Sequence, residues 1–127
     1  MVWLYIAVGG SVGAVARYGL SGWVQERAGF GFPWGTLIVN VTGSLLIGFA
    51  VRYLDAVRVT SDVRALLTIG LLGAFTTFST YSYETVALLE DGAWGRAGLY
   101  TLGSVILGLA AVYLGIGAAG FVLHARG

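Results

Sequence analysis

The chain has 127 residues, of which 57% are apolar and only 10% charged, and its mean hydropathy is +0.86. A soluble domain carries about 25% charged residues, so too little charge remains to coat a water-facing surface, and the chain falls among integral membrane proteins. Cysteine and lysine are absent, all seven positive side chains are arginine, and the net charge is +1. That excludes disulfides, thiolate chemistry and a basic surface for nucleic acid.

Four apolar segments, 2–24, 33–54, 63–89 and 97–123, each reach the roughly 20 residues that a bilayer core demands. They predict an all-α membrane protein with one four-helix transmembrane domain, 1–127. The first segment lacks a basic start and runs too long for a signal peptide, so it reads as a retained helix. Within it Gly9, Gly13 and Arg17 stand four apart and share a face. The glycine pair lets a neighbouring backbone approach closely. Arg17 has two readings here: it snorkels to the interface, or it anchors a polar network or anion vestibule.

Pro33 and Trp34 mark the start of the second helix, since proline suits a first turn and tryptophan the membrane interface. Thr36, Asn40, Gly43 and Ser44 then recur on one face. An amide at that depth needs a partner. Asn40 either makes an interhelical hydrogen bond, worth about 0.6–2 kcal/mol in membranes, or lines a pore.

The third segment holds the most unusual run, Gly73-Ala74-Phe75-Thr76-Thr77-Phe78-Ser79-Thr80-Tyr81-Ser82-Tyr83-Glu84, in which every residue from Thr76 to Tyr83 is a hydroxyl residue or an aromatic. Hydrocarbon cannot satisfy such groups, so the run must face protein or a polar cavity. Threonines lower helix propensity and compete for backbone hydrogen bonds. With Gly70 and Gly73 just before them, they predict a break in the helix, and freed carbonyls there can bind a cation. Glu84 is either a headgroup carboxylate or a buried one. In the fourth segment Tyr100, Ser104, Gly108 and Ala111 form a narrow stripe, with Thr101 beside it. The stripe reads as small-residue packing or as a polar track facing the third helix. His124 is expected beside the membrane.

No histidine stands near a serine, no carboxylates pair, and no phosphate-binding glycine loop is present, so the chain is not expected to be an enzyme. A permeation pathway fits better. Asn, Ser, Thr and Tyr offer neutral donors, and aromatic ring edges are electropositive. Donors replace the water stripped from a small hydrated anion, so the set favours an anion over a cation. If the N-terminus faces the cytoplasm, Arg52, Arg58, Arg64 and Arg126 lie on that side and Arg27 and Arg96 opposite. Four against two is a weak positive-inside bias, open to insertion in both orientations.

These motifs resemble the Fluc fluoride channels, also called CrcB proteins. The similarity rests on Gly9-Gly10-x-x-Gly13-Ala14-x-x-Arg17-Tyr18, on Gly35-Thr36-Leu37-x-Val39-Asn40-x-x-Gly43, and on Gly73-x-x-Thr76-Thr77-Phe78-Ser79-Thr80-x-Ser82-x-Glu84. It extends over essentially the whole chain. The resemblance implies an antiparallel, dual-topology homodimer in the inner or plasma membrane, passing fluoride through two pathways. It implies a structural sodium ion at the dimer centre, held by backbone carbonyls at positions matching Gly73 and Thr76. It implies a pore lined by Asn40 and by rings at Phe78 and Tyr81, where Tyr81 stands in place of the family's more frequent Phe. Ser79 and Ser104 match polar pore positions, and Arg17 and Glu84 match the polar network. Partners are then fluoride, membrane lipid and a second copy of the chain.

Three other readings stay open at the level of sequence. A small multidrug transporter shares the size but needs an acidic residue deep in the first helix, and here none precedes Glu26. A non-conducting packing subunit would use the same polar stripes as interhelical glue. A heterodimer of two related chains would place a different partner across the axis.

Overall fold

The computed structural model describes residues 1–127 and is helical throughout, without strands. Helix α1 spans Val2–Ala28, α2 spans Trp34–Val57, α3 is the span Ser61–Glu90, and α4 spans Trp94–Arg126. Three of these, α2, α3 and α4, are long and apolar enough to cross a membrane. α1 has 27 residues, about 40 Å at 1.5 Å per residue, and its apolarity is diluted by Arg17, Gln25, Glu26 and Arg27.

The helices run past the expected ends because their stop signals lie further out. α1 ends at Gly29, whose φ of 92° suits glycine alone. α2 ends at Arg58, a left-handed residue with φ 53° whose N–H bonds back to the Leu54 carbonyl. Gln25 ties the first connection together: its amide donates to the Gly29 and Phe32 carbonyls and accepts from the Gly35 N–H at 3.0 Å. That last bond satisfies one of the amides left unpaired at the start of α2.

α3 is not uniform. Its first turn, Ser61–Arg64, is capped by the Thr60 hydroxyl, Ala65–Leu72 winds as a wider π-helix, and Gly73–Phe75 returns to α geometry. Thr76 (φ −92°, ψ 159°) and Thr77 (φ −148°, ψ 117°) are extended, and helix resumes over Phe78–Glu90. The π-helical stretch lies against α1 at glycines from both sides. A Cβ on Gly70 would stand 2.7 Å from the Ile6 carbonyl oxygen, and one on Gly9 would stand 2.9 Å from the Leu71 nitrogen. Backbones this close gain dispersion contacts that side chains would prevent. α2 packs chiefly on α4, where Tyr100 and Val39 are completely buried.

Candidate functional site

The polar residues gather where α2, α3 and α4 meet. A groove of about 420 Å³ is lined by Asn40 and Ser44 from α2, by Gly73, Thr76, Thr77, Phe78 and Tyr81 from α3, and by Ser104 from α4. α2 reaches this turn closely because position 43 is glycine. A Cβ there would collide with the Thr76 methyl and lie 3.2 Å from the Phe75 ring.

Asn40 is held by the backbone of the extended turn. Its Nδ2 donates to the Thr77 carbonyl at 3.1 Å, and its Oδ1 accepts from the Thr77 N–H at 2.8 Å. Since an N–H can only be met by the oxygen, Thr77 fixes which way the amide faces. An amide has two N–H donors, so one remains available for another acceptor. The side chain is thereby both a structural clasp and an oriented donor.

Two bonds that a continuous helix would make are diverted here. The N–H of Thr77 would meet the Gly73 carbonyl, but it goes to Asn40. The N–H of Thr80 would meet the Thr76 carbonyl, but it goes to the Thr77 hydroxyl at 3.1 Å. Gly73 and Thr76 are thus left without their helical donors, whereas of the two carbonyls between them that of Ala74 accepts from Arg17 Nε at 3.1 Å.

The rings form a connected series. Phe78 and Tyr81 lie 5.7 Å apart and tilted, Tyr81 and Tyr100 are 5.2 Å apart, and Tyr100 meets Phe32 edge-on at 5.5 Å. Phe78 itself is 78% exposed on the single chain. The Tyr81 hydroxyl donates to the Thr101 carbonyl at 3.1 Å, which anchors the ring to α4. Ser104 Oγ is buried with no hydrogen-bond partner, in the wall of the same groove. An unpaired buried hydroxyl costs about 1–3 kcal/mol, so it marks a place for a further polar partner.

Arg17 and Glu84 do not line this groove. They line a second one of about 630 Å³, with Thr36, Thr77, Thr80, Gln25 and Glu26. Thr77 borders both, so the grooves meet at the extended turn. Glu84 accepts a hydrogen bond from the fully buried Tyr100 hydroxyl at 3.0 Å. Ser79 borders neither groove; it is exposed, with its hydroxyl 3.3 Å from that of Thr77. No group of three or more carboxylates, imidazoles or thiolates is placed to hold a metal ion.

Sequence reasoning did not single out Thr77, although it joins the two grooves and clasps Asn40. Its signal was the pair Thr77 and Thr80, three apart before a helix, the spacing of an N-cap. In the sequence Tyr100 is one member of a stripe, and its bond to Glu84 joins residues 16 apart.

Comparison with known proteins places these features in a lineage. The family described as "CrcB-like protein, Camphor Resistance (CrcB)" matches residues 4–116. A protein of Geobacter sulfurreducens named "Fluoride-specific ion channel FluC" is 54% identical over 117 residues, covering 91% of this chain and 94% of its own. Proteins of the same name from Roseiflexus sp., 51% identical over 115 residues, and Thermus thermophilus, 50% identical over 113 residues, cover 90% and 89% of this chain and 93% and 89% of their own.

Proposed function

The chain belongs to the CrcB family, a family of ion channels and not of enzymes, and from that premise we propose that it is a passive, fluoride-selective channel exporting the anion from the cytoplasm. The relatives named as fluoride channels support the permeant ion. The observation that carries the reading for this chain is the groove itself. It combines the spare N–H of Asn40, the unpaired Ser104 hydroxyl and the tilted Phe78 and Tyr81 rings.

Fluoride is small and holds its water strongly, so a selective path must supply donors as the shell is shed. Asn40 offers an N–H whose carbonyl oxygen is turned away by Thr77. Ser104 offers a hydroxyl with no competing acceptor. Ring edges carry partial positive charge and accept an anion without binding it tightly. Arg17 adds a positive charge to the adjoining groove, which Thr80 also lines and which Thr77 shares with the first. No proton-coupling step is needed, because the inside-negative potential drives an anion outward with about 2.3 kcal/mol per charge at 100 mV.

The functional unit of this reading is an antiparallel dual-topology homodimer with two pores, spanning the inner or plasma membrane with all four helices of each chain. It is supported by the exposure of Phe78, an aromatic residue of the groove that a single chain leaves uncovered. The extended turn at Thr76 and Thr77 is then the working break of the third helix. A structural sodium ion fits the donors present: the Gly73 and Thr76 carbonyls of each chain would hold it, as hard oxygens lacking their helical donors. Bound there, it would supply a fixed positive charge linking the two chains.

Fluoride resistance tests the proposal in cells. A bacterium without its own fluoride exporter is expected to regain growth in fluoride medium when it makes this chain, and to lose it again with Asn40→Asp. Failure to grow despite normal amounts of membrane-inserted dimer would refute export of fluoride by the homodimer.

A further inference from the structure

Five consecutive carbonyls, from Gly73 to Thr77, pass through the extended turn, and side chains from other helices take particular ones. Arg17 of α1 takes Ala74, and Asn40 of α2 takes Thr77 while also drawing away the N–H that would close on Gly73. No side chain donates to the other three, Gly73, Phe75 and Thr76, and the sodium reading uses the first and last of these. We propose that Arg17 is a positioning residue for the central cation, acting through its Nε hydrogen bond to the Ala74 carbonyl and not through its charge. This rests on the sodium reading above.

The lever is short and stiff. Gly9 and Gly13 seat α1 directly on this part of α3, where a Cβ on Gly13 would come within 3.1 Å of the Phe75 nitrogen. Arg17 lies one turn further along the same face. Its bond therefore clamps the peptide that joins Ala74 to Phe75, between the two cation-facing carbonyls, from a backbone that cannot slide. Its only protein hydrogen bond goes to that carbonyl, and it makes no ion pair.

The sign of the effect separates positioning from electrostatics. A guanidinium near a cation repels it, so removal of the charge alone would tighten sodium binding. Loss of the clamp would weaken it, because groups that orient metal ligands are commonly worth about 10–100-fold in affinity. Two substitutions dissect this. In Arg17→Gln the amide Nε2 occupies the same place along the side chain as Nε and keeps a donor without the charge. Arg17→Met keeps the length and removes the donor.

The test is thermal unfolding of the detergent-solubilised dimer, titrated with sodium chloride against N-methyl-D-glucamine chloride at constant ionic strength. The wild-type midpoint is expected to rise with sodium. Arg17→Gln is expected to reach half of its stabilisation within about threefold of the wild-type concentration, and Arg17→Met to need at least about tenfold more. A half-saturation for Arg17→Met equal to or below wild type overturns the proposal. If Arg17→Met yields no dimer, Arg17→Leu carries the same test, since it too lacks the donor to the Ala74 carbonyl. Unchanged sodium response in that variant overturns the sorting of carbonyls by side chains. A wild-type dimer indifferent to sodium would refute the cation site itself and this inference with it.

Discussion

Asn40 is held through both ends of its amide by one residue of the extended turn. Its oxygen is committed to the Thr77 N–H and one of its N–H groups to the Thr77 carbonyl, so only a donor is left for the groove. Asn40→Asp keeps the acceptor and loses both donors while adding a negative charge. Like-charge repulsion of several kcal/mol is expected to lower fluoride efflux by about a hundredfold with the dimer intact; efflux near wild type would remove Asn40 from the path. Tyr81 leads to the opposite expectation. Its hydroxyl is held by the Thr101 carbonyl and the ring alone faces Phe78. Tyr81→Phe removes a membrane hydrogen bond worth about 0.6 kcal/mol on average, so efflux within about threefold of wild type is expected, with a slightly lower unfolding midpoint. A larger change in efflux would put the hydroxyl itself in the pathway. Phe78→Ile replaces a polar ring edge by an alkyl surface at the exposed rim of the groove. It is expected to abolish fluoride efflux while size-exclusion chromatography still finds the dimer; wild-type efflux would reduce the ring to packing.

At the scale of the helix, glycines decide what the polar residues can reach. Gly13 lets α1 lie against α3 at the level of Leu71 and Phe75, and a side chain there would press into the Leu71 carbonyl. Overpacking of this kind costs about 1–3 kcal/mol or more, so Gly13→Leu is expected to lower the thermal midpoint and the yield of folded dimer together. An unchanged midpoint would show that α1 has room to shift. The same contacts mark the limit of what the chain discloses as a string of residues. The apolar segments, the shared face of Gly9, Gly13 and Arg17, and the polar run from Thr76 to Tyr83 are all periodic or compositional, and so are legible locally. The π-helical winding of Ala65–Leu72 is not, because its ladder adjusts to a neighbouring backbone around Gly9 that no local pattern encodes. The partner of Asn40, 37 residues away, and that of Arg17, 57 residues away, are equally tertiary facts. The resemblance already sets Arg17 and Glu84 apart from Asn40 and Ser104; that each pair lines its own groove, and that the two grooves meet at Thr77, is visible only in the folded chain.

Over the whole molecule, charge is sparse and largely engaged in holding the ends. Arg64 pairs with Asp55 at 2.6 Å, Arg126 bonds the Tyr53 hydroxyl, Arg96 donates to the Gly31 carbonyl, and Arg27 lies over the Trp23 ring. Little of this charge favours one side of a membrane over the other. The chain lacks cysteine, so Gly127→Cys provides a unique label at its end, and in intact cells about equal fractions are expected to react with an impermeant maleimide from outside and only after lysis. Labelling from one side alone would exclude dual topology. Selective fluoride conduction is decided by proteoliposomes loaded with equal fluoride and chloride, with valinomycin balancing charge and two ion electrodes reading efflux. Rapid loss of fluoride with chloride retained is expected from purified homodimer. Release of both ions, or of neither, would contradict a fluoride-selective channel formed by this chain alone.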